Sequence, residues 1–127
     1  MPTPKSESPS MQEIRALAER MKHLTPAEVN AWLAEKRAFT ILDVRSSGEY
    51  MAYHIPGSRH VPMEDLPSRV AELDPKDGPF VVHCEHGFRS LDATLYLMWN
   101  GVPEVYNMQE GISGWPGPIE HGLGQSG

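Results

Sequence analysis

The chain has one cysteine, Cys84, and it heads the segment Cys84-Glu85-His86-Gly87-Phe88-Arg89-Ser90. Before it, Phe80 to His83 is short, apolar and partly β-branched, as in a buried strand; after it, Leu91, Leu95 and Met98 recur at helical spacing. A thiol at such a strand-to-helix junction is placed to act as a nucleophile. Residues 85–90 contain no proline, so every backbone N–H there is free to point at an anion above the sulfur. The helix dipole, the Arg89 guanidinium and Ser90 as helix N-cap are expected to favour the thiolate, and Gly87 to allow a left-handed turn at the loop tip. A lone cysteine ending an apolar strand is more often a small buried hydrophobe, but the proline-free loop and following helix shift the reading to reactivity. Metal binding by His83, Cys84 and His86 is disfavoured, because His83 and Cys84 point to opposite faces of a strand and no CxxC pair exists. No metal or other cofactor is expected.

The elements that must hold this loop follow from periodicity and capping. Ser10 with Glu13 forms a capping-box pattern ahead of the stripe Met11, Ile14, Leu17 and Met21, which predicts a helix over 11–21 that packs on its own domain. A second box, Thr25-Pro26-Ala27-Glu28, starts a helix carrying Val29, Trp32 and Leu33 on one face. Strands are predicted at 39–44, 58–61, 80–83 and 105–108. Arg45 to Gly48 reads as a loop, 66–73 as a short helix, 74–79 as a loop, and Gly101 as the stop of the helix after Cys84. Alternating strands and helices imply an α/β fold with a central parallel sheet of about five strands flanked by helices. In such a sheet Asp43, Cys84 and Met108 emerge together at the carboxyl edge, where ligands bind.

Length and charge narrow the function classes. The 127 residues suffice for one domain with its own core. The net charge of −6 gives no overall attraction for nucleic acid or anionic lipid, and no window is apolar enough to span a membrane. The single cysteine and the absence of a secretory apolar core in the first twenty residues point to the cytoplasm. Residues 1–21 are expected to form a flexible tail and a helical extension, 22–118 the domain, and 119–127 a second flexible tail.

Several separated motifs now add up to a resemblance. Asp43-Val44-Arg45, Glu49-Tyr50, His54-Ile55-Pro56-Gly57-Ser58, the loop Cys84 to Ser90, and Gly111-Ile112-Ser113-Gly114-Trp115 look, in order and spacing, like a single-domain rhodanese, a sulfurtransferase. The resemblance implies that Cys84 accepts a sulfane sulfur as a persulfide and passes it to a thiophilic acceptor, a small molecule or a protein. It implies a substrate-binding loop of Glu85, His86, Gly87, Phe88 and Ser90, with Arg89 as the loop arginine and Asp43, Arg45, Glu49 and His54 as structural support. Four residues separate Cys84 from Arg89. Related phosphatases and arsenate reductases use a loop longer by one residue, so the tighter loop favours transfer of a single sulfur atom. A non-turnover sulfur carrier or docking module, engaged through Phe88 and the first helix, is the alternative.

Two positions depart from the family pattern. Glu85 replaces a cation-friendly residue and is expected to offset Arg89 at the loop mouth, making thiosulfate a poor donor. Tyr53 stands where the family usually has glycine before the histidine, which unsettles the local turn. Arg45 and Glu49 are expected to pair, Asp43 to accept loop N–H bonds or pair with a neighbour, and Trp115 to close the core.

Overall fold

Five short strands, β1 (Lys22–Leu24), β2 (Thr40–Asp43), β3 (Arg59–His60), β4 (Phe80–His83) and β5 (Val105–Met108), form one parallel sheet in the order β1-β5-β4-β2-β3. The computed structural model describes residues 8–122. Helices α1 (Met11–Arg20), α2 (Pro26–Ala34), α3 (Ser47–Ala52), α4 (Leu66–Arg69) and α5 (Arg89–Trp99) connect and cover the strands. Every residue of β4 is buried, as a central strand with both faces covered requires. Alternation along β2 and β4 divides the core. Leu42, Phe80 and Val82 face α4 and α5 with Leu66, Val70 and Leu97, whereas Ile41 and Val81 face Val29 of α2, Ile55 and Ile112.

The chain leaves β2 toward one edge of the sheet, through β3, and leaves β4 toward the other, through α5 to β5. The loops after β2 and β4 therefore diverge and open a crevice at the carboxyl edge. Register places Asp43 beside His83 there, one residue before Cys84.

Capping explains several helix starts. Ser10 with Glu13 and Thr25 with Glu28 make the reciprocal bonds expected of them. A third box, Ser46 with Glu49, starts α3 inside the segment read as loop. Serines and a glycine are weak helix formers, so the cap and not the propensity makes this one short helix. The three-residue β1 was also missed, because Leu24 is its one buried residue. Helix α1 packs against α5 through Leu17, while Met11 remains exposed.

The frayed tail expected over 119–127 is corrected for its first part. Glu120 exchanges two backbone hydrogen bonds of 2.8 Å with His54, and the Gly122 N–H donates to the Met51 carbonyl. Pairing with α3 and the turn after it satisfies backbone groups that a free tail would leave to water. Residues 123–127, like residues 1–7 of the tail expected at the other end, lie outside the described residues.

Candidate active site

Cys84 follows directly on β4 and is almost fully buried, at 1% exposure. Its Sγ accepts the N–H of Gly87 at 3.1 Å and of Ser90 at 3.3 Å. The chain curls around the sulfur because Gly87 adopts φ +95°, and the first turn of α5 then begins at Arg89. The loop is tied from below. The Cys84 carbonyl accepts from Ile112 N–H and the Glu85 carbonyl from Ser113 N–H, both in the 3-10 turn Gly111–Gly114. Gly111 sits at φ +63°, and a Cβ there would overlap the Cys84 carbonyl and the Glu85 backbone.

Ser90 is not the N-cap of α5. Phe88 holds that position with no side-chain cap, and the Ser90 hydroxyl instead donates to Asn107 Oδ1 at 2.6 Å. This bond runs to β5, so the helix start is fixed by the sheet. The Asn107 amide nitrogen in turn meets His23 Nδ1 at 3.2 Å.

The expected charge pairs are exchanged. Arg45, fully buried, donates to both Asp43 oxygens, to Glu85 Oε1 at 3.1 Å and to the Tyr53 carbonyl. The Tyr53 hydroxyl donates to the other Glu85 oxygen. Glu49, expected on Arg45, instead takes Arg89 in a two-pronged bridge of 2.8 Å per arm. Arg89 is thus directed to α3 and not over the sulfur, and Glu85 is held by Arg45 and Tyr53 and not by Arg89. The reason is geometric: Arg45 turns inward to serve the buried Asp43, which leaves Glu49 facing outward toward α5. Tyr53 adopts extended backbone, φ −170°, which any residue tolerates, so no glycine is needed there.

Electrostatics follow these contacts. Burial raises the Asp43 carboxyl, but the Arg45 side-chain hydrogen bond, the neighbouring His83, and the Arg45 backbone bond and charge together outweigh it and hold the group below its ordinary value. Arg89 holds Glu49 down to about 2. Burial pushes His83 down; its Nδ1 lies 3.1 Å from the Cys84 carbonyl, and its Nε2 stands 3.6 Å from Asp43 without a hydrogen bond. His54 is a buried packing residue, stacked on Tyr50 and bonded to the Tyr50 carbonyl. Phe88, 77% exposed, and His86 stand at the outer rim of the loop. Trp115 packs against the Val29 cluster as expected.

Beside the loop lies an open cleft of about 410 Å³, bounded by Gly87, Phe88, the start of α5, the residues after β5, and His23 of β1. The reading of the sequence missed His23, Asn107 and Glu110. A polar Asn at a strand position that alternation turns inward was the available clue for Asn107.

A model of the rhodanese-like domain matches residues 25–117. The chain belongs to that family. It is 34% identical over 104 residues to a protein of Stutzerimonas stutzeri named thiosulfate sulfurtransferase GlpE, covering 79% of this chain and 93% of the relative. It is 36% identical over 91 residues to a sulfurtransferase of Allochromatium vinosum, covering 72% and 81%. Among solved structures, a rhodanese-like domain protein of Staphylococcus aureus superposes with a TM-score of 0.73 at 27% identity, over 80% of this chain and 98% of that one. The parallel five-stranded α/β architecture is the rhodanese-like one. No helix among the described residues is long and apolar enough to cross a membrane.

Proposed function

We propose that the protein is a sulfurtransferase in which Cys84 carries the sulfur. The observation that carries this reading is the pair of N–H bonds from Gly87 and Ser90 onto Sγ, in a loop with four residues between Cys84 and Arg89. Amides fixed by the fold stabilise a sulfur anion without reorganisation, which is the form needed for attack and the form regenerated after transfer. The thiolate attacks the outer sulfur of a sulfane donor, the donor's S–S bond breaks, and the donor residue leaves with the electron pair. With thiosulfate the leaving group is sulfite. A thiophilic acceptor then attacks the outer sulfur of the Cys84 persulfide, and the second S–S bond returns its pair to Sγ.

The loop supplies this chemistry from its backbone. Arg89 acts as a brace through Glu49, and Asp43, Arg45 and Glu85 hold the loop's shape. Domain residues 22–118, the cytoplasm as compartment, and a small-molecule donor with a small-molecule or protein acceptor complete the proposal. It is tested by thiocyanate formation from thiosulfate or polysulfide with cyanide: the wild type turns over and Cys84→Ser does not. Equal activity in Cys84→Ser would end the proposal.

A further inference from the structure

One of the two amides on the sulfur is held from far away. Ser90 is the second residue of α5, so its N–H has no partner inside the helix and is free to reach Cys84 Sγ at 3.3 Å. Its hydroxyl donates to Asn107 Oδ1 at 2.6 Å, and the Asn107 amide nitrogen meets His23 Nδ1 at 3.2 Å. Ser90 and Asn107 are buried, while His23 is exposed on the edge strand β1. The lengths fix the direction of this chain. A contact of 2.6 Å suits O–H···O and is shorter than the usual N–H···O range of about 2.7–3.2 Å, so the carboxamide shows its oxygen to Ser90 and its NH2 to His23. An NH2 group only donates, so His23 Nδ1 accepts through its lone pair and the ring proton sits on Nε2.

We infer that Asn107 and His23 are positioning residues for Cys84, and that their chain to Ser90 holds the Ser90 N–H on the sulfur only while His23 Nδ1 is unprotonated. The inference rests on the reading of Cys84 as the nucleophile. A proton on Nδ1 sets two donors against each other and the bond to Asn107 is lost. Turning the carboxamide over restores that bond but aims NH2 at the Ser90 hydroxyl, whose own proton then loses its acceptor inside the protein. In either case Ser90 is released from β5. His23 lies before residues 25–117, which the rhodanese-like model matches, so this end of the chain is not read from the family match. Among the described residues, the charged or titratable groups around His23 are Lys22 beside it, the Tyr106 ring under the Lys22 ammonium at 5.5 Å, and His86 and Glu110 across the cleft. Glu110 turns its carboxylate toward Gly114, which leaves His86 as the second imidazole to be told apart from His23.

The test alkylates Cys84 in the full chain with iodoacetamide, which carries no charge, reads the thiolate and needs no sulfur transfer; intact mass follows the rate. His23→Asn sets a carboxamide oxygen where Nδ1 stood, so it still accepts but does not titrate. His23→Gln sets its polar group where Nε2 stood, and Ser90→Ala cuts the chain at its other end while keeping the amide. At about pH 8, His23→Asn is expected to match wild type, with His23→Gln and Ser90→Ala about fivefold slower, the effect of one hydrogen bond. Toward about pH 5, where an imidazole is charged, wild type is expected to drop to the rate of the two slow variants and His23→Asn to stay about fivefold above them. A His23→Gln protein as fast as wild type at the higher pH overturns the inference. So does a His23→Asn protein that drops with wild type at the lower pH, which would assign the acid limb to His86. The expected alkylation pattern in a protein that never loads sulfur would overturn the sulfur-transfer reading and leave this inference standing.

Discussion

Arg45 and Glu85, 40 residues apart in sequence, are joined by a 3.1 Å ion pair that fastens the loop after β2 to the loop that carries Cys84. The same guanidinium grips Asp43, so one buried cation serves two carboxylates. Removing it leaves Asp43 charged and unpaired at zero exposure. Arg45→Met is therefore expected to cost about 3–5 kcal/mol, read as a lower urea midpoint. Arg45→Lys is not conservative here, because an ammonium cannot reach Asp43, Glu85 and the Tyr53 carbonyl together. A loss below about 1 kcal/mol in Arg45→Met would show that the pair does not hold the two loops.

Glu85 gives a prediction opposite to the simple charge argument. A cation at this position would help a dianionic donor if it faced the loop mouth, but Glu85 faces Arg45 and the Tyr53 hydroxyl. Glu85→Arg sets two guanidinium groups together and strands Tyr53. We expect it to lower stability by about 1–3 kcal/mol, more than Glu85→Gln, with no gain in kcat/KM for thiosulfate. A stable Glu85→Arg protein with raised thiosulfate activity would refute this placement.

The Glu49–Arg89 bridge is partly exposed, so its worth is modest, about 0.5–1 kcal/mol after solvent screening. Glu49 is depressed to about 2 in the folded protein. A depressed carboxyl contributes stability that is complete above its unfolded value, near 4.3, and is lost as pH falls toward the folded one. The stability gap between wild type and Glu49→Gln should thus be full above about pH 5 and close toward pH 2. Gln keeps the Ser46 cap, so a gap that does not vary with pH would mean that the cap and not the charge is lost.

Gly111 and Gly101 both adopt positive φ, +63° and +81°, yet differ in what surrounds them. Gly101 faces open space, so Gly101→Ala carries only the backbone strain, about 1–2 kcal/mol. Gly111→Ala adds overlap with the Cys84 carbonyl and must displace the loop. Sulfur loading is expected to fall at least about tenfold in Gly111→Ala, a loss of about 1.4 kcal/mol in transition-state stabilisation, and to persist in Gly101→Ala. Equal loading in the two variants would separate the 3-10 turn from the chemistry.

Elements with strong local signals were legible in the sequence. The boxes at Ser10 and Thr25, the apolar run at Phe80 and the stop at Gly101 each act within a few residues, and the parallel sheet follows from their alternation. What was not legible depends on distance. Arg45 could be matched with Glu49 or Glu85 by charge, and only the inward turn of β2 decides for Glu85. The role of Ser90 was misread for the same reason, since its partner Asn107 lies on β5. The turn of backbone amides around Cys84 was legible because amides, glycine and cysteine are contiguous; the cleft was not, because His23 comes from the far end of the chain.

The central claim is that Cys84 holds a transferable sulfur in the loop's amide cradle, and intact mass tests it most directly. After thiosulfate or polysulfide treatment and removal of excess donor, the wild type should gain one sulfur atom, localised by peptide mapping to Cys84 and released by cyanide. Cys84→Ser should gain none. A wild type that gains no sulfur from either donor, or gains it at any residue other than Cys84, would contradict the account.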